Sequence, residues 1–124
     1  MANHPIVHID IPAINGKESA EFYAKTFDWT LDHAPEFDYW QFAAEGGPGG
    51  GFMKAGNDGA TINQLVVYIG TDDIEASLAD VEANGGKTIQ PRTDIPGIGW
   101  FAVFSDPVGN AVALYQDGGM QQGQ

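Results

Sequence analysis

Residues 6–27 decide the fold of this chain, and they read IVHIDIPAINGKESAEFYAKTF. The opening IVHIDI alternates apolar with polar side chains, which predicts a strand with His8 and Asp10 on the same face. Pro12 is expected to end this strand. A helix is predicted next, because Asn15 offers a side-chain oxygen as N-cap and Glu18 completes a pair typical of a capping box.

The predicted first helix carries one apolar stripe, formed at helical spacing by Ala20, Tyr23, Ala24 and Phe27. Three short strands are expected to follow, at residues 29–32, 39–43 and 51–54. The glycine cluster at 46–51 precedes the last of them. We interpret this cluster as a loop at the mouth of a cleft or as a long hairpin turn.

The same order of elements returns after a segment of linker composition at 55–61. Residues 65–69 predict a strand, and Asp72 with Glu75 predicts the start of a second helix. The stripe of this helix is Ile74, Leu78 and Val81, and its predicted end is Asn84-Gly85-Gly86. Three more strands are predicted at 87–90, 100–104 and 110–116, separated by turns at Pro96-Gly97 and Asp106-Pro107-Val108-Gly109.

The two halves therefore form an internal repeat, in which the capping pairs recur at an offset of 57 residues. The repeat predicts an α+β fold of two βαβββ modules, at about 5–55 and 62–116, with a frayed tail at 117–124. Because neither module buries its apolar face alone, we expect one domain spanning 1–124. Its strands should form an open, curled mixed sheet around a cleft.

Composition excludes several classes of function. The chain has 124 residues, no cysteine, and a net charge of −12 with only five scattered lysines and arginines. Nucleic-acid binding and attachment to anionic membranes are not expected, because both depend on clustered cations. Disulfides and thiol chemistry are excluded. No apolar run approaches the roughly 18 residues of a membrane span, and the first residues lack a secretory signal, so a cytoplasmic protein is expected.

Five stretches of the sequence resemble the vicinal-oxygen-chelate superfamily, which includes glyoxalase I, bleomycin-resistance proteins and extradiol dioxygenases. They are VHIDI at 7–11, EFYAKTFDW at 21–29, DDIEA at 72–76, NGG at 84–86 and DPVGN at 106–110. Each is weak alone, but the Phe22-Tyr23 pair with the much later Asp-Pro-x-Gly-Asn is specific in combination. The resemblance implies two βαβββ modules around a cleft, a small-molecule ligand and a homodimer.

Metal-dependent members of this family take one ligand from the first and one from the last strand of each module. His8 matches the first of these positions. The other three positions match residues without a carboxylate or an imidazole: Met53, Ala113, and Val66 (Leu65 or Val67 if the alignment slips by one). We therefore expect no cofactor, with a divalent metal at His8 as the alternative.

A metal-free pocket for a small, partly apolar molecule is the function predicted for the cleft, since such pockets combine apolar walls with a few polar groups. His8 and Asp10 are the candidate catalytic or polar contact residues. The remaining candidate ligand contacts are Tyr68, Trp100, Phe52, Tyr115 and Arg92. The alternative for the aromatic residues is core packing. For His8 it is a hydrogen-bonded strand histidine, and for Asp10 it is a capping carboxylate.

The sequence leaves enzyme and binding protein open. In one alternative, His8 is the general base or metal ligand of a lyase, isomerase or epimerase, with Asp10 or Tyr68 orienting it or serving as acid. In another, the chain sequesters a cationic drug, which the acidic residues of the first module would attract. The missing ligands and the few cations argue against glyoxalase I, and the same missing ligands argue against an extradiol dioxygenase.

Overall fold

The computed structural model describes residues 4–36, 38–55 and 64–118. Most of the predicted linker (56–61), the predicted start of the second module at residue 62, and the tail from 119 onwards lie outside the described residues. The chain divides into two compact units, residues 7–67 and the remainder. We describe each in turn as the first and second module.

The first module consists of one helix and four strands: β1 (Ile6–Ala13), α1 (Gly16–Phe27), β2 (Thr30–Ala34), β3 (Tyr39–Ala43) and β4 (Gly49–Lys54). Its strands lie in the order β2-β3-β4-β1. β1 is parallel to β4, with Asp10 opposite Gly51, whereas β3 is antiparallel to both β2 and β4. This arrangement leaves α1 as the crossover between β1 and the rest of the sheet.

The second module repeats this architecture with β5 (Val66–Gly70), α2 (Ile74–Ala83), β6 (Lys87–Ile95), β7 (Gly99–Ser105) and β8 (Ala111–Asp117). β5 is parallel to β8, with Tyr68 opposite Ala113, and β7 is antiparallel to both β8 and β6. The α+β class and the two βαβββ modules predicted from the sequence are therefore confirmed.

Both helices begin at a side-chain cap. Asn15 Oδ1 accepts a hydrogen bond from the Glu18 amide at 3.0 Å, as predicted. At α2 the N-cap is Asp73, not the predicted Asp72, because Asp73 Oδ1 accepts from the Ala76 amide at 3.1 Å. An N-cap must stand two or three residues before the amide it satisfies, and Asp72 stands one residue too early. In the described parts of the chain, neither helix is long and apolar enough to cross a membrane.

Several strand boundaries differ from the sequence prediction, and those of β1, β6 and β4 bear on the site. Pro12 does not end β1, which continues to Ala13, because the fixed φ of proline lies within the extended region. β6 extends to Ile95 rather than stopping at residue 90. Gly49, Gly50 and Gly51 belong to β4, so the loop predicted at 46–51 is shorter. Close packing explains these glycines, since a Cβ on Gly50 would overlap the Ile9 carbonyl oxygen.

The core of the first module is aromatic. Phe42 and Phe52 pack at 5.5 Å between ring centroids, and Trp29 stacks on Phe42 at 4.3 Å. Ala20 of α1 is fully buried against this cluster, and Tyr23 packs on Phe52. Phe27, predicted as part of the helical stripe, is 57% exposed instead; it is the last residue of α1, and its ring contacts Tyr23 and Trp29 from outside the buried cluster.

The core of the second module is mainly aliphatic. Ile74 is fully buried, and Leu78 packs with it against the sheet, as the predicted stripe requires. Ala102 and Leu114 complete the buried cluster, and they lie opposite each other in the β7–β8 ladder. Because side chains alternate along a strand, the neighbouring residues of these strands face away from α2.

Candidate ligand-binding site

A hydrogen-bonded cluster of three side chains lies on the face of the first module that is turned away from α1. His8 Nε2 lies 3.0 Å from Asp10 Oδ1 and 2.9 Å from the Tyr39 hydroxyl oxygen. The Tyr39 hydroxyl donates to the same Asp10 oxygen. Asp10 is 6% exposed, so this carboxylate depends on protein donors in place of water. The structure thus brings together the two predicted polar residues and adds Tyr39.

The backbone explains why these side chains meet. His8 and Asp10 alternate with Ile9 and Ile11 along β1, and Ile11 packs against the core beneath α1. Tyr39 comes from β3, two strands away, and reaches across β4 to the cluster. Sequence reasoning missed Tyr39, because it had no motif of its own. The signal was the glycine at position 51, which leaves room over β4.

A cavity of about 310 Å³ lies beside the cluster within the first module. His8 is part of its wall. The other lining residues combine small or apolar groups with three polar ones: Val7, Leu31, Phe42, Ala43, Gly49, Gly50, Thr30, Asp32 and Gln41. Among the described residues its lining contains no lysine or arginine. The cavity therefore suits a partly apolar molecule that is neutral or positively charged.

A second cavity, of about 480 Å³, lies in the same module near the start of α1. Tyr39 forms part of its wall, together with Trp40, Phe52 and the exposed Lys17 and Lys54. Tyr39 is the one cluster residue in the lining of this cavity, whereas His8 is the one in the lining of the first. Only the first cavity includes either of the predicted polar residues.

The family's metal ion does not fit the side chains at the expected positions. Gly49 and Gly51 are the β4 residues opposite His8 and Asp10, and neither has a side chain that could bind a metal. The α2 cap at Asp73 aligns Val66 with His8, which selects one of the three residues considered from the sequence. Within residues 4–36, 38–55 and 64–118, no group of three histidines or carboxylates could hold a metal ion.

The other predicted contact residues are distributed over different faces. Phe52 is 3% exposed and packs beneath α1, away from the cluster. Trp100 packs with the core beneath α2, and the Arg92 guanidinium lies 4.6 Å from its ring centroid. The core-packing alternative accounts for both aromatic residues. A role for any of these residues in ligand binding stays a prediction.

Two further predicted contacts, Tyr68 and Tyr115, lie on the face of the second module that is turned away from α2. Tyr68 is opposite Ala113 in the ladder, and Tyr115 is opposite Phe101. Burial raises the pKa of the Tyr115 hydroxyl above its usual value, and the nearby Asp117 carboxylate raises it further. This tyrosine is therefore held in its neutral, proton-donating form over a wider pH range.

Comparison with known proteins agrees with this architecture. The model of the Glyoxalase/Bleomycin resistance protein/Dioxygenase superfamily matches residues 5–114. The anthracycline biosynthesis protein DnrV of Streptomyces peucetius is 31% identical, with 83% of this chain and 43% of DnrV covered. A glyoxylase-like domain-containing protein of Didymella fabae is 30% identical, with 86% of this chain and 88% of that protein covered.

Among solved structures, methylmalonyl-CoA epimerase from Mycobacterium tuberculosis superposes with a TM-score of 0.71 at 14% identity. The superposition covers 96% of this chain and 91% of the epimerase. Identity at this level speaks for the fold alone. The chain spans less than half the length of DnrV, so the activity of that longer protein does not transfer to it directly.

Proposed function

This chain belongs to the Glyoxalase/Bleomycin resistance protein/Dioxygenase superfamily, and from that premise we propose that it binds a small, partly apolar organic molecule without a metal ion. The observation that carries the proposal is the His8–Asp10–Tyr39 cluster at the wall of the 310 Å³ cavity. The imidazole supplies a polar contact with a fixed direction. The surrounding small and apolar side chains supply the contact area.

The charge of the cavity narrows the class of ligand. Asp32 lines it, Asp10 lies behind His8, and no cation lines it among the described residues. With a net charge of −12 on the whole chain, an anionic ligand would be repelled. We therefore propose a neutral or cationic ligand. The similarity to a protein named for anthracycline biosynthesis supports an aromatic one.

The proposal is tested by titrating the protein with an anthracycline, a neutral anthraquinone and an anthraquinone sulfonate, and following ligand fluorescence. We expect the first two to bind and the anionic one to fail. The substitution His8→Ala or Asp10→Asn should weaken binding at least about tenfold, which corresponds to roughly 1.4 kcal/mol. Unchanged affinity in both variants would contradict the assignment of the site.

His33→Ala is the matched control. This histidine also pairs with an aspartate, with 3.3 Å between His33 Nε2 and Asp38 Oδ1, but it does not line the 310 Å³ cavity. The substitution His33→Ala should change the ligand affinity by less than about twofold, because substitutions away from a binding site have small effects. Elemental analysis and titration with nickel, zinc, manganese and iron complete the test. A divalent ion that binds to the protein and is lost in His8→Ala would overturn the metal-free proposal.

A second candidate function is metal-independent proton transfer, as in an isomerase or epimerase. The observation that favours it is the 3.0 Å contact between His8 Nε2 and the buried Asp10 carboxylate, an arrangement that orients an imidazole for acid–base work. The test is incorporation of deuterium from D₂O next to the carbonyl of small oxo-compounds. Deuterium incorporation that disappears in His8→Ala supports catalysis, whereas binding without incorporation supports a binding or sequestering protein.

Homodimer formation, implied by the family resemblance, stays a prediction.

A further inference from the structure

The hydrogen bonds of Tyr39 indicate which ring nitrogen of His8 carries the proton. Its proton is donated to Asp10, so the contact between its oxygen and His8 Nε2 must use a proton carried by His8. The contact between His8 Nε2 and the Asp10 carboxylate requires the same proton. The three hydrogen bonds are therefore consistent with one arrangement, in which His8 carries its proton on Nε2.

Gly51 is what gives Tyr39 access to this position. Gly51 lies opposite Asp10 on one side of β4 and opposite Gln41 on the other. A Cβ atom at Gly51 would overlap the hydroxyl oxygen and Cζ of Tyr39. The tyrosine ring thus occupies the volume that any side chain at position 51 would need. Gly51 has no positive φ, so backbone conformation does not explain the glycine, whereas the close approach of the ring does.

We propose that Tyr39 is a positioning residue for His8, and that Gly51 is required because it admits the tyrosine ring. Tyr39 holds the Asp10 carboxylate and the His8 ring in one arrangement and covers their hydrogen bond from water. The orientation of the imidazole at the wall of the cavity follows from this arrangement. The inference rests on the proposed function, since it concerns how that site presents His8 to a ligand.

The decisive variant is Tyr39→Phe, which keeps the ring and removes the hydroxyl. The readout is the His8 Nε2–H signal in nitrogen-15 spectra of the ligand-free protein, together with its rate of exchange with water. We expect a protected Nε2–H signal in the unmodified chain and exchange at least about tenfold faster in Tyr39→Phe, as loss of one hydrogen bond with its shielding implies. No protected signal in the unmodified chain, or an exchange rate unchanged by the variant, would overturn the proposal.

The role of Gly51 is tested by thermal unfolding of Gly51→Ala. The overlap between the new Cβ and the Tyr39 ring should destabilise this variant. The additional substitution Tyr39→Ala should remove the overlap. The stability of the double variant should therefore approach that of Tyr39→Ala alone. Equal losses for Gly51→Ala in the presence and absence of the tyrosine ring would contradict the steric argument. Gly47→Ala is the control, because a Cβ there meets nothing within 4 Å.

Ligand titrations of the same variants separate this inference from the proposed function. If His8→Ala and Asp10→Asn leave affinity unchanged, the proposed site is wrong whatever the spectra show. If they weaken binding while Tyr39→Phe alters neither the Nε2–H signal nor affinity, the site stands and the positioning role is wrong. The expected result is a loss of affinity in Tyr39→Phe of about fivefold, smaller than the loss in His8→Ala.

Discussion

The two modules share a backbone plan and differ in the side chains of the face turned away from the helix. In the first module the row across β1, β4 and β3 is Asp10, Gly51 and Gln41. In the second module the corresponding row is Tyr68, Ala113 and Val103. Asp10 and Tyr68 each stand five residues before an N-cap, so the rows are equivalent.

This difference shows that the face away from the helix is not needed to specify the repeat. Cap, helix and strand pairing recur in both modules, whereas one face is polar with a histidine and the other is mainly apolar. A polar cluster can therefore be built on one copy without loss of the fold. Gly51 and Ala113 mark the change most clearly, because a Cβ at position 51 would overlap Tyr39, whereas the equivalent position of the second module carries one.

The largest expected effect concerns the two cores, which differ as aromatic and aliphatic. We expect Phe52→Ala to lower the free energy of unfolding by about 3–5 kcal/mol and Ile74→Ala by about 2–5 kcal/mol, since both side chains are buried. Denaturant titration measures both. Phe22→Ala is the aromatic control, because this side chain is 57% exposed and should cost below about 1 kcal/mol. Losses below about 1 kcal/mol at Phe52 or Ile74 would show that the assigned core is wrong.

A smaller effect tests whether the helix caps are equivalent. Asn15→Ala and Asp73→Ala should each cost about 1 kcal/mol, because each leaves one amide of the first helical turn without its acceptor. Asp72→Ala should cost clearly less. Thermal or urea unfolding of the three variants gives the comparison. A larger loss of stability in Asp72→Ala than in Asp73→Ala would show that Asp72 is the cap, as the offset of 57 residues in the sequence predicts.

The smallest effect concerns Tyr115 and appears only at alkaline pH. Its pKa is raised in the folded chain by burial and then by Asp117, so the unfolded chain loses this proton first as pH rises above about 10. The contribution to stability is complete below the unfolded pKa and is lost as pH rises through the folded pKa. In Tyr115→Phe, the urea concentration at the midpoint of unfolding should therefore fall less with rising alkaline pH than it does in the unmodified chain. The same comparison at neutral pH is the control, and an equal alkaline decline in both chains would contradict the burial argument.

Much of the fold could be predicted because its signals are local. The sequence predicts the cap Asn15 and the buried positions Ile74 and Leu78 of α2 correctly, since a cap and a helical period involve residues only a few positions apart. The N-cap of α2 is predicted wrongly because two neighbouring residues could serve as the cap. Asp72 and Asp73 both can cap a helix, and only the hydrogen bond to the Ala76 amide distinguishes them.

The candidate site was predictable only in part. His8 and Asp10 are two residues apart on one strand, so their shared face follows from the period of a strand. Tyr39 is 31 residues from His8, and nothing in its immediate sequence indicates that it reaches β1. The glycine cluster at 46–51 is typical of a loop or a long hairpin turn, because glycine is common in both. In the structure, three of these glycines are strand residues in close contact with other groups.

The sequence by itself determined the internal repeat, the α+β class and the face shared by His8 and Asp10, because each depends on spacing along the chain. Tertiary structure alone decided that Tyr39 completes the cluster, that Phe52 packs beneath the helix and that Gly51 must lack a side chain. The register between neighbouring strands determines these contacts. That register is fixed only when the apolar side chains of the whole module pack together.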